Sequence, residues 1–339
     1  MKLTIGIKAL NEERHIAAAL GSAVEAAGAV GGEVILADSG SVDRTIEIAG
    51  RYPVRIVQLA DPNERSCGAG AQLAFQHAQG EYFYLLDGDM VIEPGFLPAA
   101  IAFIEANPDV AGVGGHVQEM HTQAQEFQIR AESVRREANW LPGTVDRLDC
   151  GGLYRASAIR EAGYFADRNL HAFEEFDLGA RLRARGWKLA RIDVPAVKHY
   201  GHAMDGYRLM WKRFRSGYSG ATGEVLRGAL GREHFKLVLR DLGHIRNGIV
   251  VILWWVLLIA LAFAPGLSPA GRLGLILAAL LVPIGFLSVR RRSIRLGLYS
   301  FVSWNAGAAG LIAGFFRKRV PPRQPLASVT VGGEQMTAR

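Results

Sequence analysis

Cysteine is scarce in this chain of 339 residues, with Cys67 and Cys150 alone. Two cysteines cannot build a disulfide framework, and no Cys-x-x-Cys pair is present for a zinc site, so stapled secreted domains and zinc ribbons are excluded. Both read as small, buried, reduced residues of a cytosolic compartment. Met1 to Leu10 has neither the basic n-region nor the long apolar h-region of a secretory leader. The region ahead of Asn247 is therefore expected on the cytoplasmic side. Internal repeats and low-complexity tracts are also missing. Richness in Leu, Ile, Val and Phe excludes a disordered chain.

Charge is absent from three runs: Asn247 to Gly271, Leu273 to Val289, and Leu296 to Phe316. Each matches or approaches the ~17–25 residues that a bilayer-spanning helix needs. A wholly soluble protein is unlike this pattern. The net charge of +7 could suggest nucleic acid, but the cations are placed otherwise. Arg232, Lys236, Arg240 and Arg246 precede the first run, and Arg290, Arg291, Arg292 and Arg295 follow the second. That placement suits anionic lipid headgroups, with no nucleic-acid partner expected.

At ~150 residues per domain, the length allows about two domains. In the first, Leu3–Lys8, Glu33–Asp38, Val54–Leu59, Glu81–Leu86 and Ala111–Val117 read as short buried strands. Helical stretches lie between them. Asn11 is placed to cap one running toward Ala27, Ser41 one through Ile48, and Gly80 to end one that starts near Ala71. Alternating strands and helices imply a mostly parallel sheet covered on both faces, with its ligand crevice beyond the carboxyl ends of the strands. A further strand at Cys150–Tyr154, a helix at Glu174–Arg185 and a last strand at Leu189–Asp193 follow. Tyr207–Gly231 interleaves aromatic residues with Arg and Lys, as suits a helix in the membrane interface.

Three strand ends carry acids: Asp38, the pair Asp87 and Asp89 around Gly88, and Asp149. A carboxylate just beyond a buried strand needs hydrogen bonds, a cation or water. Two carboxylates one residue apart on a glycine turn can present oxygens to one hard divalent ion, Mg²⁺ or Mn²⁺, that could bridge a diphosphate. A solvated turn is the plainer alternative for such a triplet.

The order of motifs around these acids resembles family 2 glycosyltransferases of the GT-A fold. Ala9-Leu10-Asn11-Glu12-Glu13 comes first, then Asp38-Ser39-Gly40-Ser41-Val42-Asp43 and Leu85-Leu86-Asp87-Gly88-Asp89. Gly151-Gly152-Leu153-Tyr154-Arg155 and Glu174-Glu175-Phe176-Asp177-Leu178 complete the set. The resemblance implies an α/β fold, a GT-A-type doubly wound, mostly parallel sheet, followed here by a C-terminal helical membrane region. It implies that Glu12 and Asp38 line a nucleotide pocket and that Asp87 faces ribose and metal. Asp89 would hold the metal, and Gly151 and Gly152 would let the backbone approach donor sugar and acceptor. The family's Glu-Asp pair falls on Glu174-Glu175, making Glu175 the expected general base, with Glu174 and Asp177 as neighbouring catalytic acids. His199 or His202 would complete the metal shell. Gln72-Leu73 departs from the Arg-Asn often found after the Gly-rich turn, and Met90-Val91 departs from the Leu-Gln that follows the acidic triplet in dolichyl-phosphate mannose synthases.

The expected organisation is a GT-A domain over 1–206, an amphipathic interfacial connector over 207–246, two or three transmembrane helices over 247–316, and a basic, disordered tail over 317–339. The expected activity is metal-dependent, inverting transfer of a sugar from a UDP- or GDP-sugar to a lipid-linked or polysaccharide acceptor at the cytoplasmic membrane face. Bacterial exopolysaccharide and cell-wall transferases have this layout. Two other readings stay open at this point: a membrane-bound nucleotidyltransferase, and a non-catalytic membrane scaffold with a degenerate nucleotide-binding domain. Topology contains a conflict. Two spans obey the positive-inside rule, whereas a third over Leu296–Phe316 would put Arg317, Lys318 and Arg319 outside. Length favours three spans; Ser303, Asn305 and four glycines in that run favour a re-entrant or interfacial segment.

Overall fold

The computed structural model describes residues 1–120, 137–201 and 206–331. The chain divides into two compact units, Met1–Ala203 with Arg319–Arg339, and Met204–Lys318.

In the first unit the strands are β1 (Leu3–Ala9), β2 (Gly32–Asp38), β3 (Arg55–Leu59), β4 (Tyr82–Asp87), β5 (Met90–Ile92), β6 (Val110–Glu119), β7 (Gly143–Val145), β8 (Gly152–Arg155), β9 (Lys188–His199) and β10 (Ser328–Val331). They form one sheet in the order β10-β3-β2-β1-β4-β8-β6-β9-β5, with β7 paired to β9. The expected parallel arrangement holds for β3-β2-β1-β4. Beyond β4 the sheet is mixed, because β8 runs antiparallel to both β4 and β6 while β9 is parallel to β6. The helices are α1 (Ile16–Val30), α2 (Thr45–Ala49), α3 (Cys67–Gln76), α4 (Phe96–Ala106), α5 (Ala156–Ala162) and α6 (Glu174–Ala184).

Side chains alternate along the central strands and divide the core into two layers. Tyr82, Tyr84 and Leu86 of β4 join Leu3, Ile5 and Ile7 of β1 against Ile16 and Leu20 of α1 and Phe96 and Ile104 of α4. Phe83 and Leu85 turn the other way, toward Leu73 of α3, Ile159 of α5 and Leu178 of α6. Each large apolar side chain fully buried here stabilises the fold by roughly 1.5–3 kcal/mol. This two-sided burial explains why β1, β2 and β4 read as continuous apolar runs.

Register decides where the chemistry sits. Ala9 pairs with Asp38 on one side, and Lys8 pairs with Asp87 on the other. The ends of β2 and β4 therefore flank the end of β1, and their acids face the loop that leaves it.

Several expected helix boundaries differ. Asn11 does not cap α1: it adopts φ 58°, and its Oδ1 accepts the Val42 N–H at 2.9 Å. Ser41 does not cap α2, since its hydroxyl donates to Asp38. α3 begins earlier than expected, with the Ser66 hydroxyl accepting the Ala69 N–H, and ends at Gln76. Gly80 instead lies against β1, where an added Cβ would meet the Thr4 nitrogen at 2.5 Å. Cys150 is buried as expected, but Cys67 is only half-buried. The segment expected as a disordered tail is ordered over 319–331: Asn169 and Arg168 bind the backbone of Val320, Gln324 and Pro325, and β10 adds an antiparallel edge strand to β3. The apolar Leu326, buried beside α3, anchors it.

The second unit contains α7 (Gly206–Arg215), α8 (Ala221–Ala229), α9 (Phe235–Asp241), α10 (Gly243–Ala262), α11 (Pro269–Arg290) and α12 (Ile294–Phe316). The last three are each long and apolar enough to cross a membrane. Trp254 Nε1 donates to the Ala279 carbonyl, and Trp255 Nε1 donates to Asn305 Oδ1 at 2.8 Å, so both indole N–H groups are satisfied within the unit.

Candidate active site

The loops after β1 and β2 are tied together before any ligand arrives. The fully buried Asp38 accepts the N–H groups of Gly40 and Ser41 at 2.9 Å, the Ser41 hydroxyl, and the Gln58 amide at 2.8 Å. The Asn11 N–H reaches Ser41 Oγ, the Glu12 N–H reaches Thr45 Oγ1, and the Glu13 N–H reaches Asp43. The polar residues that local sequence offers as helix caps are spent on this bridge. Asp38 and Glu12 thereby sit on one tied rim formed by the two loops.

Gly88 lets the acidic turn pack against that rim. A Cβ added there would meet Glu12 Cγ at 2.9 Å and Ala9 Cβ at 3.4 Å. Asp87, partly buried, pairs with Lys8 Nζ at 3.1 Å, and the same ammonium binds Glu174 Oε1. Burial opposes the charge on Lys8, but Asp87 and Glu174 outweigh it and hold Lys8 well above an ordinary lysine. Burial raises the Asp87 carboxyl; Lys8 draws it down, and Asp89 and Glu174 add to the rise.

Antiparallel pairing of β5 with β9 sets Met90 opposite His199 and so carries the histidine to the acidic turn. His199 Nε2 lies 3.5 Å from Asp89 Oδ2, and its Nδ1 lies 2.7 Å from Glu119 Oε2. Burial disfavours the imidazolium, yet hydrogen bonds to Asp89 and Glu119 push its pKa up to about 9. One ring nitrogen held by a carboxylate and the other turned to a second carboxylate is a common arrangement for a metal-binding histidine. Ligand atoms of Glu119, Cys150 and His199 also fall within 4.8 Å of one another. The oxygen and imidazole donors suit a hard divalent ion better than the thiol does. Asp89, His199 and the adjacent Asp87 therefore fit Mg²⁺ or Mn²⁺. His202 lies outside the described residues.

Asp149-Cys150-Gly151-Gly152 closes the far side of the cleft. Cys150 has φ 65° and Gly151 φ 94°; a side chain at 151 would also come within 2.8 Å of the Tyr84 hydroxyl. The Cys150 N–H donates to Glu175 Oε2 at 3.1 Å, while Glu175 Oε1 is sealed from solvent with no hydrogen-bond partner. Burial, then the neighbouring Asp149, pushes the Glu175 carboxyl well above the usual range. Phe173, which precedes α6, adopts φ 66°. Asn11, Cys150 and Phe173 are thus three left-handed non-glycine residues in the loops that carry the candidate site residues, and such strained backbone is found at functional sites.

Asp177, expected beside Glu174 and Glu175, faces a different partner. It is buried and pairs with Arg181 at 2.8 Å, and that guanidinium also binds the carbonyls of Tyr164 and Phe165. This ties α6 to the loop after α5, a positioning role for Asp177. Gln72 has a similar duty, accepting the N–H groups of Phe165 and Ala166. Lys8 and Glu119 were missed from sequence; a lysine at the end of an otherwise apolar central strand was the available signal for the first.

A mixed sheet with paired acids at the end of its fourth strand, a late histidine beside them and a glutamate with one sealed oxygen has the layout of a GT-A-type domain. The Glycosyl transferase family 2 model matches residues 4–163, a little under half of the chain. Glucomannan 4-beta-mannosyltransferase 2 of Arabidopsis thaliana is 31% identical over 126 residues, covering 35% of this chain and 23% of that protein. The glycosyltransferase named EpsE in Bacillus subtilis (strain 168) is 29% identical over 167 residues, covering 46% of this chain and 58% of that protein. The chain thus spans less than two thirds of either relative. Among solved structures, the mannosyltransferase PcManGT of Pyrobaculum calidifontis, in complex with GDP-Man and Mn²⁺, superposes with a TM-score of 0.59 at 20% identity, over 92% of this chain and 87% of that one. This likeness establishes the fold.

Proposed function

We propose that the protein is a membrane-attached, metal-dependent, inverting glycosyltransferase that uses a UDP- or GDP-sugar. The observation that carries the reading is Glu175: an unpartnered carboxylate oxygen, closed to water, in the electrostatic reach of Lys8 and Asp87. A sealed carboxylate oxygen without a hydrogen bond is costly unless a substrate supplies the partner.

In this mechanism Glu175 takes the proton of the acceptor hydroxyl as its oxygen attacks the anomeric carbon. The bond from that carbon to the nucleotide diphosphate breaks on the opposite face, and configuration inverts. Asp89 and His199, with Asp87, would hold the divalent ion, which supplies charge neutralisation for the departing diphosphate. Lys8 fixes Asp87 and Glu174 in place and offers a second positive charge at the same spot. Asp38 and Glu12 shape the nucleotide end.

The acceptor is a lipid-linked or membrane-extruded glycan, because a soluble acceptor gives an enzyme no reason to carry apolar helices of spanning length. The catalytic domain faces the cytoplasm, with Tyr207, Trp211 and Phe214, each at least two-fifths exposed, and the cations of α7 placed in the lipid interface. The test is a screen of nucleotide sugars against the purified full-length protein with lipid-linked acceptors. Turnover that needs Mn²⁺ or Mg²⁺ supports the proposal; metal-independent turnover, or none with any donor, rejects it.

A further inference from the structure

The chain leaves the sheet unit for the helical unit once and returns to it once. After the return, β10 pairs with β3, residue for residue from Ser328–Leu59 to Val331–Ile56. A strand in the same sheet is on the same side of any membrane as the sheet. Between the two passages the number of complete crossings must therefore be even. Three helices of spanning length cannot all cross.

The helical unit makes the same point within itself. Arg317, at the end of α12, binds Glu224 of α8, ahead of all three apolar helices. Arg227 donates to the carbonyls of Phe315 and Arg317, closing the exposed carboxyl end of α12. Backbones touch alongside: a Cβ on Gly314 would fall 1.8 Å from the Gly220 oxygen, and one on Gly310 would fall 2.1 Å from the Ser219 oxygen. The exit of the unit thus lies against its entrance.

We infer that the chain crosses the bilayer twice, through α10 and α11, and that α12 begins and ends on the side of the sheet domain. Three observations choose α12 as the helix that fails to cross. One third of its most apolar window is buried against protein, against 6% for α11. Its outward residues, Ile294, Leu298, Val302, Ile312 and Phe316, form one stripe, whereas Gly297, Ser300, Ala308, Leu311 and Gly314 are buried on the opposite face. With its other face packed on protein, the helix leaves only this stripe to meet lipid, as a helix lying in the interface does. This arrangement also returns Arg317, Lys318 and Arg319 to the side that already holds Arg290–Arg295, in accord with the positive-inside rule. The inference rests on the membrane attachment proposed above and not on the sugar-transfer chemistry.

The experiment is sidedness labelling of the full-length protein with a membrane-impermeant maleimide, in right-side-out and inverted vesicles. Single cysteines go at the exposed Glu25→Cys on α1, Ala270→Cys in the first turn of α11, and Thr330→Cys on β10; the parent chain with Cys67 and Cys150 sets the background. Two crossings predict that Glu25→Cys and Thr330→Cys label in inverted vesicles and lose their label in right-side-out ones, with Ala270→Cys behaving oppositely. Thr330→Cys labelling together with Ala270→Cys would overturn the inference, as would all three labelling from one side. No sugar transfer is read, so failure here is separate from failure of the catalytic reading.

Discussion

Replacing Glu175 by glutamine tests the base assignment at one atom. The amide keeps the side chain's length, and its oxygen can still accept the Cys150 N–H now held at 3.1 Å by Oε2. What changes is the sealed, unpartnered Oε1, which is replaced by a group that cannot take a proton. General-base catalysis contributes typically about 10²–10⁴-fold. At about 1.36 kcal/mol per decade, that range corresponds to roughly 3–5 kcal/mol of transition-state stabilisation. The E175Q variant should therefore lose two to four decades of kcat, while Kd for the nucleotide diphosphate, measured calorimetrically with Mn²⁺, stays within about twofold because Glu175 holds no part of the nucleotide end. Normal turnover would refute the assignment. Equal loss of nucleotide binding would show that the residue holds the site together instead.

Further outcomes follow from the same geometry. Because burial raises the Glu175 carboxyl, the base form grows as pH increases, so kcat/KM should rise with pH from the acid side; a flat profile would contradict this. The folded state binds that proton more tightly than the unfolded chain does, so this group's stabilisation is present at low pH and fades as pH rises above the ordinary carboxyl value. His199, held up to about 9, must lose its proton to bind metal, so Mn²⁺ affinity by titration calorimetry should gain about tenfold per pH unit below that value. Asp38→Ala would leave the Gly40 and Ser41 N–H groups and the Gln58 amide without an acceptor; at ~1–3 kcal/mol for each buried donor, discounted for water entry, a loss of about 3 kcal/mol is expected in denaturant melts. Gly151→Ala, forced into φ 94° and against Tyr84, should cost about 1–3 kcal/mol and depress turnover in the same preparation.

The parallel half of the fold was readable because β1, β2 and β4 are buried on both faces and appear as apolar runs ending in acids. The rest depended on pairings between distant residues. β8 is four residues long, and it reverses the sheet direction through contacts on both sides that no local pattern announces. β10 pairs with a strand some 270 positions earlier, so its segment, polar and rich in proline, resembles a tail. Asn11 and Ser41 match helix caps by residue type, and only the meeting of two loops gives them their actual partners. In the candidate site, the roles proposed for Asp87 and Asp89 come from spacing and that of Glu175 from the motif order. The place of His199 beside the acidic turn depends on the β5–β9 register, and Glu119 became visible only as the carboxylate behind that ring. Lys8 looked like the polar end of a strand until its two acids came together around it.

The central claim is that Asp89 and His199 grip a divalent ion to which a nucleotide diphosphate binds. Its most direct measurement is the thermal shift produced by UDP or GDP in chelator-treated, full-length protein as Mn²⁺ is added back, for the native chain and for Asp89→Asn. The account predicts a shift only with the ion in the native chain and none in the variant. An equal shift without the ion, or an undiminished one in Asp89→Asn, would contradict it.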